Sequence, residues 1–310
     1  MTSRLLRYAA IALAALSLIV YLPIHLYLLS LLQNLRWQYL VVAILFIIVG
    51  LVRRQWVVTG ASVVALLLNA FAVINFLPLS FNDMHEGVEP HRATFYVANI
   101  HRASADVDRI IESITAADPD VFALLETDAR VVAAIEAHFE AAYPYGISYP
   151  NESNFGLMMR SRLPLQSAEI VTVSDGSNAA IDATLEGDRL LRCLFVHPYP
   201  PVSRAAYNAR NRRLRGLATE LSQTPHAYLM AGDFNASPYE PIYAEVLEYG
   251  RLRDHESGDL KWRSTWKSRI PLFGLELDHL LLGGQADYER YRIGDDIGSD
   301  HYPLIADVAW

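Results

Sequence analysis

The sequence predicts an α+β chain, a mixed αβ sandwich preceded by a helical membrane anchor. Three observations carry this expectation. The first 80 positions hold no acidic residue; the remainder alternates short apolar runs with amphipathic helical stretches; and turn signals such as Asp175-Gly176 and Glu186-Gly187-Asp188 separate the runs.

The charge split is sharp. Of 310 residues, 26 are basic and 34 acidic, a net charge of −8. Residues 1–80 contain five basic residues, Arg4, Arg7, Arg36, Arg53 and Arg54, so 81–310 carries −13. This distribution excludes a single soluble globule, a disordered chain and a basic nucleic-acid module. One cysteine, Cys193, excludes a disulfide framework and a cysteine-based zinc site.

Within residues 1–80 the apolar runs predict three transmembrane helices, at about 8–32, 37–52 and 56–79, with a re-entrant hairpin as the alternative for the short second run. A cleaved signal peptide would account for the first run and not for the next two. Pro23 and His25 interrupt the first, and His25, with no acidic partner inside the anchor, reads as an interfacial or interhelix-paired histidine. Trp37 and Tyr39 suit one membrane interface, and Arg53 and Arg54 can snorkel at the other. With Arg4, Arg7, Arg53 and Arg54 on one side against Arg36 on the other, the positive-inside rule predicts a plasma (inner) membrane protein. Its N-terminus would be cytoplasmic and its bulk periplasmic or extracellular.

Residues 81–92 read as a polar linker and 93–310 as one domain. Predicted strands are Thr94–Asn99, Val121–Glu126, Phe155–Arg160, Ile170–Val173, Ala179–Leu185, Leu190–His197, Ala227–Gly232, Leu277–Leu282 and Pro303–Val308. Predicted helices are Ser104–Ala117 with Ser104 as N-cap, Asp128–Ala142, the arginine-rich Ser203–Leu221, and one opened by Ser237-Pro238-Tyr239-Glu240 as a capping box.

Polar residues stand where these strands end: Asn99, Glu126, His197, Asp233 with Asn235, Asp278, and Asp300 with His301. Loops beyond strand ends are where a rigid sheet presents side chains to a substrate. Carboxylates such as Glu126, Asp233 and Asp300 suit Mg²⁺ or Mn²⁺, and such a cation, with a carboxylate or histidine preparing a water, suits phosphoester hydrolysis. Asp278 could fix the tautomer of His301. Each residue alone has a plainer reading. Gly-Asp-Phe-Asn is commonly a turn, Glu126 and Asn99 could cap the helices that follow them, and His197 before Pro198 could be an ordinary strand-end histidine. Six such positions in order are hard to assemble by chance.

Val97-Ala98-Asn99-Ile100, Asp118-Pro119-Asp120-Val121, Leu125-Glu126, Gly156, Ser161-Arg162-Leu163-Pro164, Val196-His197, Gly232-Asp233-Phe234-Asn235, Leu277-Asp278-His279 and Ser299-Asp300-His301 together resemble the endonuclease/exonuclease/phosphatase superfamily, across residues 92–310. The layout is similar to that of membrane-attached bacterial members. The resemblance implies a four-layer α/β/β/α sandwich with two mixed sheets. It also implies that Glu126, helped by Asn99 and with Asp300 nearby, holds Mg²⁺ or Mn²⁺. Asp233 would orient or deprotonate the attacking water, Asn235 and His197 would contact the phosphate, and His301, oriented by Asp278, would serve as acid–base or phosphate-stabilising group. Ile100-His101-Arg102 departs from the Asn-Gly or Asp-Gly step of members that cut DNA at abasic sites, and His197 is similar to the deoxyribonuclease, sphingomyelinase and inositol-phosphatase branches.

The expected activity is a membrane-anchored, metal-dependent phosphoesterase, most simply a phosphodiester hydrolase. Its partners would be a phosphate-ester substrate (lipid headgroup or nucleic acid) and the bilayer, with no obligate protein partner. The alternative is a non-catalytic phosphate-binding or scaffold protein. The five arginines Arg204, Arg210, Arg212, Arg213 and Arg215 read as a solvated helix face.

Overall fold

The computed structural model describes residues 3–22, 24–75, 90–172, 179–255, 264–267 and 274–310. Residues 81–89 of the predicted linker, the last part of the third apolar run and the Asp175-Gly176 turn lie outside them.

The N-terminal segment forms α1 (Ser3–Ile19), α2 (Tyr27–Gln33), α3 (Arg36–Val52) and α4 (Trp56–Asn75). The predicted helix over 8–32 is therefore broken. Proline at 23 has no N–H for the helical ladder and biases the residue before it away from the helix, and α2 restarts only at Tyr27. α2 meets α3 at a bend of 61°. Trp56–Ile74, with mean hydropathy 2.3, is long and apolar enough to cross a membrane, and α2 with α3 would make a second such stretch if the bent pair counts as one. Leu6, Ala10 and Val58 pack together, which sets the N-terminus of α1 beside the start of α4. Arg36 is buried rather than facing water: it donates to Asn69 Oδ1 at 3.2 Å and to the Val20 carbonyl at 2.5 Å.

The remainder forms two six-stranded sheets. In the first, strands run β11 (Asp287–Ile293), β12 (Leu304–Ala309), β1 (Arg92–Asn99), β2 (Val121–Leu125), β4 (Leu157–Ser161), β3 (Tyr145–Tyr149). In the second they run β5 (Leu165–Val171), β6 (Ala180–Leu185), β7 (Leu191–Val196), β8 (Ala227–Asp233), β10 (Asp278–Gly283), β9 (Leu252–Arg253). Only β1–β2 and β7–β8 pair in parallel; the other neighbours are antiparallel. Period-two alternation sorts the side chains into layers. Phe95, Val97, Ala123, Leu125, Phe195, Leu229 and Leu280 face inward between the sheets. Tyr96, Ala98, Phe122 and Leu124 face outward against α5 (Val107–Ala117) and α6 (Ala129–Phe139). Leu194, Val196, Tyr228 and Met230 face α7 (Arg204–Leu221) and α8 (Pro241–Gly250). The result is the α/β/β/α sandwich.

β3, β9 and β11 were not expected from the sequence. All three are edge strands whose residues are mostly partly buried or exposed, so they lack a continuous apolar run. Helix starts also move. Asp106, not Ser104, caps α5 by accepting from Arg109 N, and Asp128 caps α6 by accepting from Val131 N. Ser237 opens no capping box; α8 begins at Pro241, after Glu240, and both polar side chains are used elsewhere. The linker closes one residue early, because Arg92 already pairs with Ala309.

Candidate active site

Both parallel pairs end at the same edge of the sandwich. β1 and β2 run side by side until Asn99 stands opposite Leu125, so Asn99 and Glu126 emerge together. In the other sheet Val196 stands opposite Gly232, which brings out His197 and Asp233. β10 enters antiparallel with Asp278 opposite Asp233, and the loop before β12 brings His301. Gly232 is required where it is: its φ is 137°, and a Cβ there would lie 2.0 Å from the Val196 carbonyl oxygen. Glu126 (φ 64°) and Asn235 (φ 51°) are left-handed non-glycine residues, a backbone cost that concentrates at functional sites.

The side chains converge. Asn99 Nδ2 donates to Glu126 Oε1 and to Asp233 Oδ2, each at 3.1 Å. His197 Nε2 lies 3.5 Å from Asp233 Oδ2 and 3.9 Å from Glu126 Oε1. His301 Nε2 lies 3.8 Å from the same Asp233 oxygen, and its Nδ1 is 2.6 Å from Asp278 Oδ2. Asn99, Glu126, His197, Asp233, Asp278 and His301 are all buried. Asn235, partly buried, donates through Nδ2 to the Pro198 carbonyl at 3.1 Å and through its backbone N to Asp233 Oδ1 at 2.8 Å.

Asp300 sits apart from this group, on the rim. Its side chain is 43% exposed; Oδ2 accepts from Trp266 Nε1 at 3.2 Å, and Oδ1 is 3.8 Å from His101 Nδ1.

Neither capping alternative applies to Glu126 or Asn99, since Asp128 and Asp106 cap those helices. Glu126 Oε2 is buried and has no hydrogen-bond partner among the described residues. A carboxylate oxygen left so costs free energy unless a cation or water meets it. Asp233, Asp278 and His301 also bring ligand atoms within 4.8 Å of one another. Asp278 and His301, however, already satisfy each other at 2.6 Å, so Glu126 is the better centre for a cation.

Burial and charge oppose each other in this cluster. Burial pushes the Asp233 carboxyl up, but His301, His197 and the Asn235 N–H together bring it down to about 2. Burial pulls His301 down, and Asp278 and Asp233 outweigh it, raising the imidazole to about 10. His197 is likewise raised, its burial outweighed by Asp233 and Glu126. Without a cation, then, Asp233 is ionised and His301 is protonated at neutral pH, while His197 is shifted toward its protonated form.

Several supporting residues escaped sequence reading. Ser299 Oγ donates to the Asn99 carbonyl and accepts from His301 N, and Thr265 Oγ1 accepts from both Leu277 N and Asp278 N. Short hydroxyl residues in loops carry no periodic signal. Arg210 is the largest fully buried side chain, not part of a solvated face, and it pairs with Glu240. The signal for it was present: Tyr207, Arg210, Leu214, Leu217 and Leu221 follow helical spacing along the buried stripe of α7. Arg213 and Arg215 are also engaged, with the Val171 carbonyl and Glu245. His25 is paired from outside the anchor, with Glu245 of α8 at 2.6 Å.

Comparison with curated proteins gives no match. Among solved structures, an endonuclease/exonuclease/phosphatase from Beutenbergia cavernae is 18% identical, with TM-score 0.54, covering 70% of this chain and 71% of that one. Sphingomyelinase C from Streptomyces griseocarneus is 18% identical with TM-score 0.53 (70% and 99%). TDP2 of D. rerio, complexed with a single-strand DNA product, is 15% identical with TM-score 0.58 (70% and 98%). These likenesses establish the fold. The profile of the Endonuclease/Exonuclease/phosphatase family matches residues 97–301, from the end of β1 to His301, which is most of the chain. The chain therefore belongs to the endonuclease/exonuclease/phosphatase family, whose members are phosphoester hydrolases.

Proposed function

We propose that the protein is a membrane-anchored, divalent-metal-dependent phosphoesterase that hydrolyses phosphodiesters. The observation that carries the reading is Glu126 Oε2, a buried carboxylate oxygen without a partner among the described residues, inside a cluster of Asn99, His197, Asp233 and His301. Oxygen donors of this kind fit Mg²⁺ or Mn²⁺. Glu126 would hold the cation, with Asn99 fixing its other oxygen, while Asp300 stands on the rim bonded to Trp266. When bound, the cation supplies charge stabilisation at a phosphoryl oxygen and acidifies a water.

The protein's own groups divide the remaining work. Asp233, held ionised, accepts a hydrogen bond from the attacking water and orients it. His301, held protonated by Asp278, donates to the phosphate or to the leaving oxygen. His197 donates to a non-bridging oxygen, and Asn235 turns its amide to the phosphate. An Asp233 at about 2 is a weak base by itself, which favours orientation over full deprotonation.

The anchor reading is supported by the arrangement of the helices. Leu6 and Val58 bring Arg4 and Arg7 toward the Arg53–Arg54 turn, while the sandwich touches the opposite end, at residues such as Tyr21, Leu22, Asn34 and Ala72. One basic end and one enzyme-bearing end fit a cytoplasmic N-terminus with the catalytic domain outside. Asn34, Trp37 and Gln38 share a small cavity with Ser237, Leu275 and Glu276, two residues from Asn235 and Asp278, so the catalytic edge borders the membrane end of the bundle. Together with the −13 charge of residues 81–310, this favours a lipid-headgroup phosphoester over nucleic acid.

The test is hydrolysis of bis(p-nitrophenyl) phosphate by the full chain in detergent, with and without Mg²⁺ or Mn²⁺, alongside phospholipid vesicles and single-stranded DNA. Cation-dependent activity abolished by Glu126→Gln supports the reading. Activity unchanged by that substitution, or by a chelator, refutes it.

A further inference from the structure

The loop after β8 carries Asn235, and nearly every polar group on it is tied down. Phe234 N donates to the Leu277 carbonyl at 2.8 Å, and Asn235 N donates to Asp233 Oδ1 at 2.8 Å. The Asn235 carbonyl accepts from Arg210 Nη1, and the Ala236 carbonyl accepts from His279 Nε2 at 2.8 Å. The next residue is held from outside the sandwich: Ser237 Oγ donates to Asn34 Oδ1, in the turn between α2 and α3.

Asn34 works in two directions. Its Nδ2 donates to Glu240 Oε1 at 3.2 Å. Glu240 in turn receives Arg210, through Nη2 to Oε2 at 2.5 Å and Nη1 to Oε1 at 3.4 Å. Arg210 Nη1 then reaches back to the Asn235 carbonyl, which closes a ring of polar contacts: Asn34, Glu240, Arg210, Asn235–Ser237, and Asn34 again. All four of Asn34, Arg210, Ser237 and Glu240 are buried, Arg210 completely. Buried polar networks hold one geometry because each member's loss leaves another unpaired. Tyr27 of α2 packs against Tyr207 of α7, one helical turn before Arg210, with ring centroids 6.1 Å apart, so the same face of the sandwich also meets the bundle through apolar contact.

We infer that Asn34 is a positioning residue for the active site: the α2–α3 turn of the membrane segment fixes the Phe234–Ser237 loop, and through it Asn235, by bonding Ser237 and the Glu240–Arg210 pair. The membrane segment then completes the catalytic loop instead of merely tethering the domain. The inference rests on the reading of Asn235 as a phosphate contact. A side chain that must meet a phosphate within hydrogen-bond reach gains from a loop with one conformation, and small misplacements far from the chemistry lower turnover.

Hydrogen–deuterium exchange on the full chain in detergent decides it, because that readout does not require activity. Asn34→Ala is expected to speed exchange in the peptide spanning 233–238 by about tenfold or more while leaving β1 and β6 unchanged. It is also expected to lower kcat for bis(p-nitrophenyl) phosphate about tenfold with KM within about twofold, since the loop's order and not the cation site is changed. Should Asn34→Ala fail to fold, Ser237→Ala cuts the same link from the other side and carries the same expectation. The exchanged pair Asn34→Asp with Glu240→Gln keeps one carboxylate and the 34–240 hydrogen bond, and should recover part of what Asn34→Asp alone loses. Unchanged exchange at 233–238 in both single variants overturns the inference. Wild-type protein without any phosphodiesterase activity would refute the function proposed above and leave the exchange result to decide the role of Asn34.

Discussion

Asp278 and His301 meet at 2.6 Å, although they belong to different sheets: Asp278 begins β10 in one and His301 precedes β12 in the other. Their contact therefore clamps the two sheets together at the edge that carries the candidate site and favours the charged imidazole at the same time. Asp278→Asn should bring the His301 pKa down from about 10 and lower kcat by about a hundredfold or more, while unfolding remains cooperative. Histidine NMR titration and steady-state kinetics on the same protein check both parts. A His301 that still titrates near 10 in the variant would assign its charge to Asp233 and Asp300 instead.

Glu126 predicts a metal-linked stability. A cation that binds only the folded chain stabilises it by RT ln(1 + [L]/Kd), about 2.7 kcal/mol at a hundred times Kd. Saturating Mg²⁺ or Mn²⁺ should thus raise the unfolding midpoint of the wild type, and a chelator should reverse it. Glu126→Gln should abolish the rise. The bound cation should also lower the pKa of His197 and of His301, because a nearby positive charge disfavours the imidazolium.

Arg210 and Glu240 form a buried pair at 2.5 Å. Removing one partner leaves an uncompensated buried charge and costs about 3–5 kcal/mol, whereas replacing both by apolar residues of similar size is far less harmful. Denaturant unfolding should show Arg210→Met strongly destabilised and Arg210→Met with Glu240→Leu only partly recovered, because the buried Asn34 amide and the Asn235 carbonyl stay unpaired. Activity should not recover in the double variant, since the Asn235 carbonyl still lacks its donor.

His279 predicts an acid limit. It is buried, its Nε2 donates to the Ala236 carbonyl at 2.8 Å, and burial lowers its pKa below the ordinary 6.5 despite the nearby carboxylates. Above 6.5 both folded and unfolded forms are neutral and nothing is lost. As pH falls below 6.5 the unfolded chain takes up a proton that the folded chain refuses, so stability declines down to the folded pKa. His279→Gln should flatten this part of the stability profile below about pH 6.5. The histidines of the catalytic edge are raised and act in the opposite direction, so the comparison of variant with wild type isolates His279.

Much of the fold was legible in the sequence because burial is periodic. Phe95 and Val97 against Tyr96 and Ala98 alternate between two apolar environments, and such strands announce themselves. β3 and β11, at the sheet edges and mostly only partly buried, do not, and the cap of α5 lies at Asp106, whose carboxylate accepts from Arg109 N, instead of at Ser104.

The sequence by itself singled out the residues that meet at the candidate site, since Asn99, Glu126, His197, Asp233, Asp278 and His301 each stand at a strand boundary, and it determined that an acid-free segment precedes an acidic domain. Only the tertiary structure decided what those residues touch. Asp278 meets His301, and Glu126 Oε2 lacks a partner among the described residues, because two parallel strand pairs from different sheets end at one edge. It also decided that Arg210 is buried and that Asn34 reaches the catalytic loop. A charged or amide side chain looks solvated in sequence wherever its partner is distant along the chain; here Asn34 and Ser237 are 203 residues apart, and the fold alone sets them side by side.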